Sequence, residues 1–148
     1  MEKSILKQSV FNLDFVAADN FDAIINDIIH NKDTTHFPVV ITPNVDLTVH
    51  LNKNKKLLPV FQNARYILPD GAPIIWFSKL LGKPLKKRLA GSDLFPLIWK
   101  AGIQHQEKMF LILPNDIVKT QLTLEYPTAQ CYIPPFFEAT AEEVEKEA

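Results

Sequence analysis

The sequence lacks the residues that stabilise small disulfide-rich or zinc-binding domains. Cys131 is the one cysteine among 148 residues, so neither an internal disulfide nor a cysteine-based structural zinc site can form. The four histidines have no metal-ligand spacing, and we expect no metal and no cofactor. The net charge is only −1, from 16 basic and 17 acidic residues, which gives no reason to expect nucleic acid as a partner.

Long apolar runs are also missing. No stretch approaches the roughly 20 apolar residues that a membrane-spanning helix needs. The N-terminus MEKSILKQSV has no apolar segment of the kind found in signal peptides. These absences predict a cytoplasmic protein whose membrane contact is peripheral at most. Glycine is scarce too, and three of the four glycines lie between Gly71 and Gly91, which makes that stretch unusual.

The hydrophobic pattern predicts a single α/β domain over residues 1–148. Short apolar runs typical of buried strands occur at 37–41, 64–68, 109–113 and 130–133. Helical spacing occurs at 19–30, 44–53, 72–81, 92–102 and 116–125. Because strands and helices alternate, we expect βαβ crossovers and a Rossmann-like, mainly parallel sheet with helices on both faces.

Several helix ends can be predicted from capping residues. Asn44 is expected to cap the helix that runs to about Lys53, and Asp19 or Asn20 the first helix. Gly82 is expected to stop the helix that begins near 72. Ser92 or Asp93 should cap the next one, and Gly102 should end it. A capping-box pattern at 140–143 opens an acidic helical tail over about 139–148. That tail is either a solvated terminal helix or the element before a last strand that the chain does not reach.

Two polar loops follow the first two predicted strands. Thr42-Pro43-Asn44 follows one strand and Pro69-Asp70-Gly71 the next. Ligands of parallel sheets collect at the carboxyl ends of strands, so a hydroxyl, an amide and a carboxylate are expected to face one cleft. Asp70 is placed where a carboxylate could abstract a proton. Pro-Asp-Gly is also ordinary turn chemistry and Asn an ordinary helix cap, so the residues alone leave both interpretations open.

A basic cluster precedes a predicted helix N-terminus. Lys86, Lys87 and Arg88 lie directly before Leu89-Ala90-Gly91-Ser92-Asp93. Arginine can form two hydrogen bonds to a phosphate, and helix N-termini present free N–H groups to anions. The cluster therefore suits either a diphosphate site or a solvated basic loop. The sequence contains neither a G-x-G-x-x-G motif nor a G-x-x-x-x-G-K-[ST] motif.

In order along the chain, three motifs carry a family resemblance. They are TPNVD at 42–46, PDG at 69–71 and RLAGSDL at 88–94. Together they resemble the WecG/TagA/CpsF family, also called glycosyltransferase family 26, most closely over residues 37–113. The resemblance implies inverting transfer of an N-acetylmannosamine-type sugar, or its uronic acid, from a UDP donor. The implied acceptor is a lipid-linked N-acetylglucosaminyl diphospho-polyprenol, used in cell-surface polysaccharide or teichoic acid synthesis. Self-association is implied as well.

The resemblance also implies roles for individual residues. Asp70 matches the family aspartate regarded as the catalytic base, which deprotonates the acceptor hydroxyl. Arg88 matches a pocket arginine that offsets charge on the departing diphosphate. The remaining substrate-binding positions are Thr42, Asn44, Gly71, Gly91 and Asp93.

The chain departs from the family pattern in its second half. Leu113-Pro114-Asn115-Asp116 stands where the family has a glycine-rich turn, and Pro134-Pro135-Phe136-Phe137 is unusual for the later loop. The family's Pro-Lys-Gln-Glu motif and its basic C-terminal appendage fall beyond residue 148. We therefore expect a C-terminally incomplete domain. The alternative to an enzyme is a truncated, non-catalytic module that binds a nucleotide sugar or assembles with a partner. An unrelated nucleotide-dependent α/β enzyme is a third alternative.

Overall fold

The computed structural model describes residues 5–30 and 39–135. They belong to two compact units, the first running to Trp99 and the second beginning at Lys100. The expected single domain stays a prediction. The elements are β1 (Lys7–Val10), β2 (Leu13–Val16), α1 (Asp22–His30), β3 (Val40–Ile41), α2 (Val45–Lys53), α3 (Leu58–Gln62), β4 (Tyr66–Ile67), α4 (Ala72–Leu80), α5 (Gly91–Gln104), β5 (Phe110–Ile112), α6 (Asp116–Glu125) and β6 (Gln130–Tyr132).

The first unit is built on a four-stranded sheet in the order β1-β2-β4-β3. β1 and β2 form an antiparallel hairpin, in which Lys7 pairs with Val16 and Val10 with Leu13. β2 and β3 each run parallel to β4. The sheet is thus mainly parallel, and the predicted α/β class is confirmed.

Helices cover both faces of this sheet, as the sequence predicts. Phe15 and Ile67 point to one face, where they pack with residues of α2, α3 and α4. Val16, Tyr66 and Leu68 point to the other, against α1 and α5. Since successive side chains of a strand alternate between faces, a strand covered on both sides needs an unbroken apolar run. This explains why the short runs in the sequence lack a polar alternation.

The β1–β2 hairpin is absent from the sequence predictions. Its two turn residues, Phe11 and Asn12, have φ values of 52° and 59°, as in a type I′ turn. Asn52 of α2 fixes this turn: it donates to the carbonyl of Phe11 at 3.0 Å and accepts from Asn12 Nδ2 at 2.7 Å. Phenylalanine is rare at positive φ, so Phe-Asn lacks the local signal that Asn-Gly would give.

Two of the predicted caps are confirmed, while both predicted ends of α5 are wrong. Asn44 caps α2, accepting from Leu47 N at 2.8 Å, and Gly82 follows α4 with a φ of 70°. α5 begins at Gly91, before the predicted cap, and continues past Gly102. A Cβ at Gly102 would lie 2.6 Å from Met109 Sδ, so this glycine provides room for packing and does not stop the helix.

The second unit contains the parallel pair β5 and β6, with Phe110 opposite Gln130 and Ile112 opposite Tyr132. The sequence predicts a buried strand at 109–113, and this prediction is wrong, because Phe110 and Ile112 are 63% and 69% exposed. An apolar run of residues predicts a strand, but it does not show whether other elements pack on one or both faces of that strand. α6 has the predicted bounds, Asp116–Glu125.

Some predictions fall outside the described residues. These are the start of the first strand at 37–38, the pair Phe136-Phe137 and the acidic helix at 139–148. Among the helices of residues 5–30 and 39–135, none is long and apolar enough to cross a membrane.

Candidate functional site

The loops that follow β3 and β4 lie side by side. Leu68 N donates to the carbonyl of Ile41 at 2.8 Å, and Asp70 N donates to that of Pro43 at 3.3 Å. These bonds continue the parallel ladder past the ends of both strands. Pro43 and Pro69 are fully buried, so packing holds the two loops in place. The Thr42–Asn44 and Pro69–Gly71 segments therefore meet at the carboxyl ends of the strands.

The segment before α5 joins the same place. Leu89 is buried and donates its N–H to the carbonyl of Pro69 at 2.9 Å. This bond brings Arg88 next to Asp70, with Arg88 Nε 3.1 Å from Asp70 Oδ1. The side chains are 50% and 26% exposed, and an ion pair at such a site contributes little to stability. The contact matters for the chemistry of the site, because it places a cation next to a carboxylate.

Gly91 brings the first turn of α5 against Thr42. A Cβ at Gly91 would lie 2.9 Å from Thr42 Oγ1, closer than real Cβ atoms approach, and 3.2 Å from its Cγ2, which is also a tight contact. Glycine is thus needed for this approach. The first N–H groups of a helix have no partners within the helix, so they are suited to an anion. The threonine hydroxyl and this helix N-terminus are therefore neighbours.

Gly71 connects Asp70 to α4. Its φ of 130° lies where side chains are strained, and a proline stands in the first turn of the helix that follows. Glycine allows the chain to turn from the β4 loop straight into α4. Asp70 is consequently fixed between a buried proline and a helix start.

The remaining two predicted site residues, Asn44 and Asp93, form no described hydrogen bond or ion pair with the other predicted site residues. Asn44 is exposed, and its Oδ1 is used to cap α2. Asp93 lies exposed in the first turn of α5, with its Oδ1 3.5 Å from Ser92 Oγ. Within the described part of the chain, no hydrogen bond or ion pair links Asp93 to Asp70, Thr42 or Arg88. Of the predicted residues, the structure brings together Thr42, Asp70, Gly71, Arg88 and Gly91, which we call the carboxyl-edge cluster.

Sequence reasoning missed a second ion pair beside this cluster. Asp19 lies in the segment after β2, and Lys86 Nζ is 3.2 Å from its Oδ2. The sequence predicts Asp19 or Asn20 only as a helix cap; Asn20 Oδ1 accepts from Asp22 N at 3.2 Å, one residue before the position that directly precedes α1. Finding the pair would have required the prediction of β2, because that strand runs parallel to β4 and delivers Asp19 to the same edge.

A third charged group, away from the cluster, joins α1 to β4. Tyr66 OH donates to Asp27 Oδ2 at 2.5 Å, and Arg65 Nη2 lies 2.8 Å from the same oxygen. Burial, reinforced by the bond to Asp27, raises the pKa of Tyr66. The hydrogen bond to Tyr66 raises the pKa of Arg65. This group fastens two core elements and needs no ligand to explain it.

A shallow cavity of about 410 Å³ lies beside the β1–β2 turn and α2, lined by Phe11, Asn12, Thr48, Val49, Asn52 and Lys53. The turn precedes β2, so this cavity is at the amino ends of the parallel strands, opposite the carboxyl-edge cluster.

In residues 5–30 and 39–135, no group of three or more His, Cys, Asp or Glu side chains could hold a metal ion. The expectation that no metal is used stays a prediction.

The carboxyl-edge cluster combines three chemical capacities. A carboxylate can accept a proton, a guanidinium can bind an oxyanion, and a helix N-terminus can bind a phosphate. Arg88 bonds to Asp70 through Nε, and among residues 5–30 and 39–135 its Nη groups have no partner, so they can bind a second anion. Such a set suits the transfer of a group away from a phosphate.

Comparisons with known proteins point in the same direction. The model of the glycosyl transferase WecG/TagA/CpsF family matches residues 8–147. A protein of Bacillus spizizenii named N-acetylglucosaminyldiphosphoundecaprenol N-acetyl-beta-D-mannosaminyltransferase is 31% identical over 103 residues, covering 66% of this chain and 38% of the relative. Proteins of the same name from Bacillus subtilis and Staphylococcus aureus are 26% and 27% identical, over 66% and 60% of this chain.

The chain spans about two-fifths of the length of these curated relatives, 38% and 40% for the two Bacillus proteins. The family match, by contrast, extends over nearly the whole chain and includes every residue of the carboxyl-edge cluster. This chain belongs to the WecG/TagA/CpsF glycosyltransferase family.

Proposed function

We propose that the carboxyl-edge cluster transfers an N-acetylmannosamine-type sugar from a UDP donor to a lipid-linked N-acetylglucosaminyl diphosphate. The acceptor class is that in the printed names of the relatives. The observation that carries the proposal is the contact between Arg88 and Asp70, 3.1 Å apart where two parallel strands end. A base for the acceptor and a cation for the donor phosphate then lie within one contact of each other.

Asp70 is the proposed general base. Among the described residues, the carboxylate of Asp70 forms a hydrogen bond through Oδ1, which leaves Oδ2 for the acceptor hydroxyl. The acceptor oxygen attacks the anomeric carbon while its proton passes to the carboxylate. The bond from the anomeric carbon to the diphosphate oxygen breaks, and UDP leaves with the electron pair. A single displacement of this kind inverts the anomeric configuration.

Arg88 and the start of α5 are proposed to stabilise the leaving diphosphate. The Nη groups of Arg88 and the N–H groups after Ala90 can contact phosphate oxygens as negative charge develops on them. Gly91 permits the diphosphate to approach the backbone, and Thr42 Oγ1 is close enough to donate to the same ligand. Asn44 keeps an amide Nδ2 for the sugar, since only its Oδ1 is needed for the cap. Asp93 is proposed to contact a sugar hydroxyl, as a carboxylate would repel phosphate.

The proposed location follows from this substrate. A lipid-linked acceptor requires the cluster to work at a membrane surface, so we propose a cytoplasmic protein that contacts the membrane peripherally. Self-association, which the family resemblance implies, belongs to the same proposal.

A second candidate function is a non-catalytic module that binds a nucleotide sugar or assembles with a partner. The observation that favours it is that Asp70 Oδ1 is already engaged by Arg88 at 3.1 Å, a contact that would equally serve to shape a binding pocket. Ligand binding without turnover would then be the full activity of the chain.

The proposal is tested first by titrating the purified chain with UDP in a calorimeter. We expect binding that Arg88→Ala weakens about tenfold or more, because a charged hydrogen bond to phosphate is lost. Lys108→Ala is the control, since Lys108 is exposed and lies in the second unit. Absence of binding at millimolar UDP would contradict both the enzyme and the nucleotide-sugar-binding module, and would leave assembly with a partner as the function.

The second test separates the two candidates. UDP release is measured with UDP-N-acetylmannosamine and an N-acetylglucosaminyl diphospho-polyprenol. Asp70→Asn is expected to slow release by about 10²- to 10⁴-fold while UDP affinity stays within a few-fold, as for a lost general base. Asp116→Asn, at an exposed helix start, serves as the control. UDP binding without release by the unmodified chain would establish the binding module instead, and full turnover by Asp70→Asn would remove Asp70 as the base.

A further inference from the structure

Helix α4 is apolar on both its sides. Ile74, Ile75 and Ser78 are buried against the sheet, as a helix of this fold requires. On the opposite side, Trp76 is 67% exposed and Leu80 is 80% exposed. A helix that is hydrophobic all round is normally enclosed by protein or lipid. The outer side of α4 is therefore expected to have an occupant.

The exposed apolar residues of α4 form one continuous face together with Leu81, the residue that follows the helix. Phe77 and Leu81 are 49% and 55% exposed and follow Trp76 and Leu80 in sequence. With about 3.6 residues per turn, positions i, i+1, i+4 and i+5 share one side of a helix. Four large apolar side chains on one side exceed the scattered exposure usual for a soluble surface. We call this set, with Lys79 and Lys83, the α4 face.

Charge selects the kind of occupant. From residue 71 to residue 92 the chain has no Asp or Glu, although the whole protein is almost neutral. The same stretch has five cations, namely Lys79, Lys83, Lys86, Lys87 and Arg88. Lys86 and Arg88 have acidic partners, whereas Lys79 and Lys83 are exposed and have no acidic partner among the described residues. Exposed Trp and Leu bordered by lysines are typical of helices that lie in the interface of an anionic membrane.

The α4 face is also continuous with the carboxyl-edge cluster. α4 begins at Ala72, two residues after Asp70, and the basic segment returns to Asp70 through Arg88. Both ends of the 71–88 stretch are thus anchored at the candidate site. A membrane against this stretch would hold its lipid headgroups beside the proposed base.

From these observations we infer that the α4 face docks on an anionic lipid bilayer, with Trp76 and Leu80 entering the headgroup region. The inference rests on the proposed function in one respect: a lipid-linked acceptor gives the docking its purpose. Docking presents Asp70 to a diphosphate at the membrane surface. It adds a contact within the described chain to whatever membrane contact other segments make.

Vesicle cosedimentation tests the docking directly, without UDP or acceptor. The chain is expected to bind vesicles of phosphatidylglycerol and phosphatidylethanolamine, and to bind phosphatidylcholine vesicles at least tenfold more weakly. Lys79→Glu with Lys83→Glu should lower partitioning by about tenfold or more, given roughly fivefold per lysine. The matched control is Lys108→Glu with Lys119→Glu, two exposed lysines of the second unit, with less than twofold effect expected.

The apolar contribution has its own matched pair. Leu80→Ser should weaken binding about tenfold, because a leucine leaves the membrane interface. Leu124→Ser changes a leucine that is 79% exposed on α6, and little effect is expected. Brominated lipids should quench the tryptophan fluorescence of the unmodified chain. Trp76→Phe should abolish that quenching while Trp99, only 6% exposed, keeps its own emission.

Three outcomes would overturn the inference. The first is equal binding to neutral and anionic vesicles, and the second is binding that neither Lys79→Glu with Lys83→Glu nor Leu80→Ser changes. The third is a dimer, seen by light scattering without lipid, that Leu80→Ser dissociates, because a second copy would then cover the face. UDP titration uses no lipid and cosedimentation uses no UDP, so the two tests are independent. Vesicle binding can fail while UDP binds, and UDP binding can fail while vesicles bind.

Discussion

The Pro-Asn pairs at 43–44 and 114–115 are alike in sequence and local structure, yet only one lies in a candidate site. Each follows a strand and opens a helix, and each asparagine caps it: Asn44 accepts from Leu47 N at 2.8 Å, and Asn115 from Val118 N at 3.0 Å. Pro43 is fully buried, whereas Pro114 is exposed. The same local pattern therefore gives the same cap but different surroundings.

The difference comes from what stands beside each pair. Next to 43–44 are a second loop with a carboxylate and a third segment with an arginine, held by the bonds at Pro43 and Pro69. Beside 114–115, the strand β6 leads to Ile133-Pro134-Pro135, which offers no charged side chain. A cap becomes part of a site only where neighbouring chain segments bring complementary groups to it. Three sets of matched substitutions extend this comparison to corresponding positions of the two units.

The glycines of α5 should give the largest contrast. Gly91→Ala is expected to lower the free energy of unfolding by about 1–3 kcal/mol, because its Cβ would press on the short, half-buried Thr42 side chain. Gly102→Ala should change it by less than about 1 kcal/mol, since the flexible end of Met109 can move and alanine favours the helix. Urea unfolding measures both. Equal losses would show that Thr42 does not need the close approach at Gly91.

The asparagine caps should differ in function but not in stability. Asn44→Ala and Asn115→Ala are each expected to cost about 1 kcal/mol, the usual value of a cap. If Asn44 also binds the sugar, only its replacement should weaken UDP-sugar affinity in calorimetry. Asn44→Asp keeps a capping oxygen and loses the amide, so it should retain stability and still weaken the affinity. Unchanged affinity in Asn44→Asp would leave Asn44 as a cap alone.

Tyr66 should give the smallest effect, at alkaline pH. Its pKa is raised above the usual 10.0, so the folded state holds the phenol proton more tightly than the unfolded chain. The contribution of this phenol to the free energy of unfolding is therefore fully present below about pH 10, the unfolded-state pKa. It is lost as the pH rises through the folded-state pKa. Tyr66→Phe cannot lose this proton and should show a shallower fall between pH 9 and 11 in urea unfolding. Tyr132→Phe, with a half-exposed ring, is the control and should keep the original slope.

The elements that the sequence predicted well depend on neighbouring residues. α6 begins directly after its cap, Asn115, α2 begins directly after its cap, Asn44, and α4 stops before Gly82. The sequence missed α3, a five-residue helix without a side-chain cap. Capping bonds join residues only a few positions apart, so a short window of sequence contains all the information they need.

By itself, then, the sequence determined the α/β class, the caps at Asn44 and Gly82 and the motifs that carry the family resemblance. Only the tertiary structure decided that Asp19 meets Lys86, that Phe11 can hold a left-handed turn, and that the outer side of α4 and the strand β5 stay exposed. The physical reason is range. Caps and periodicity are local, whereas an ion pair across 67 positions, a turn held by a distant Asn52, or the covering of an apolar face depends on which segments the fold brings together.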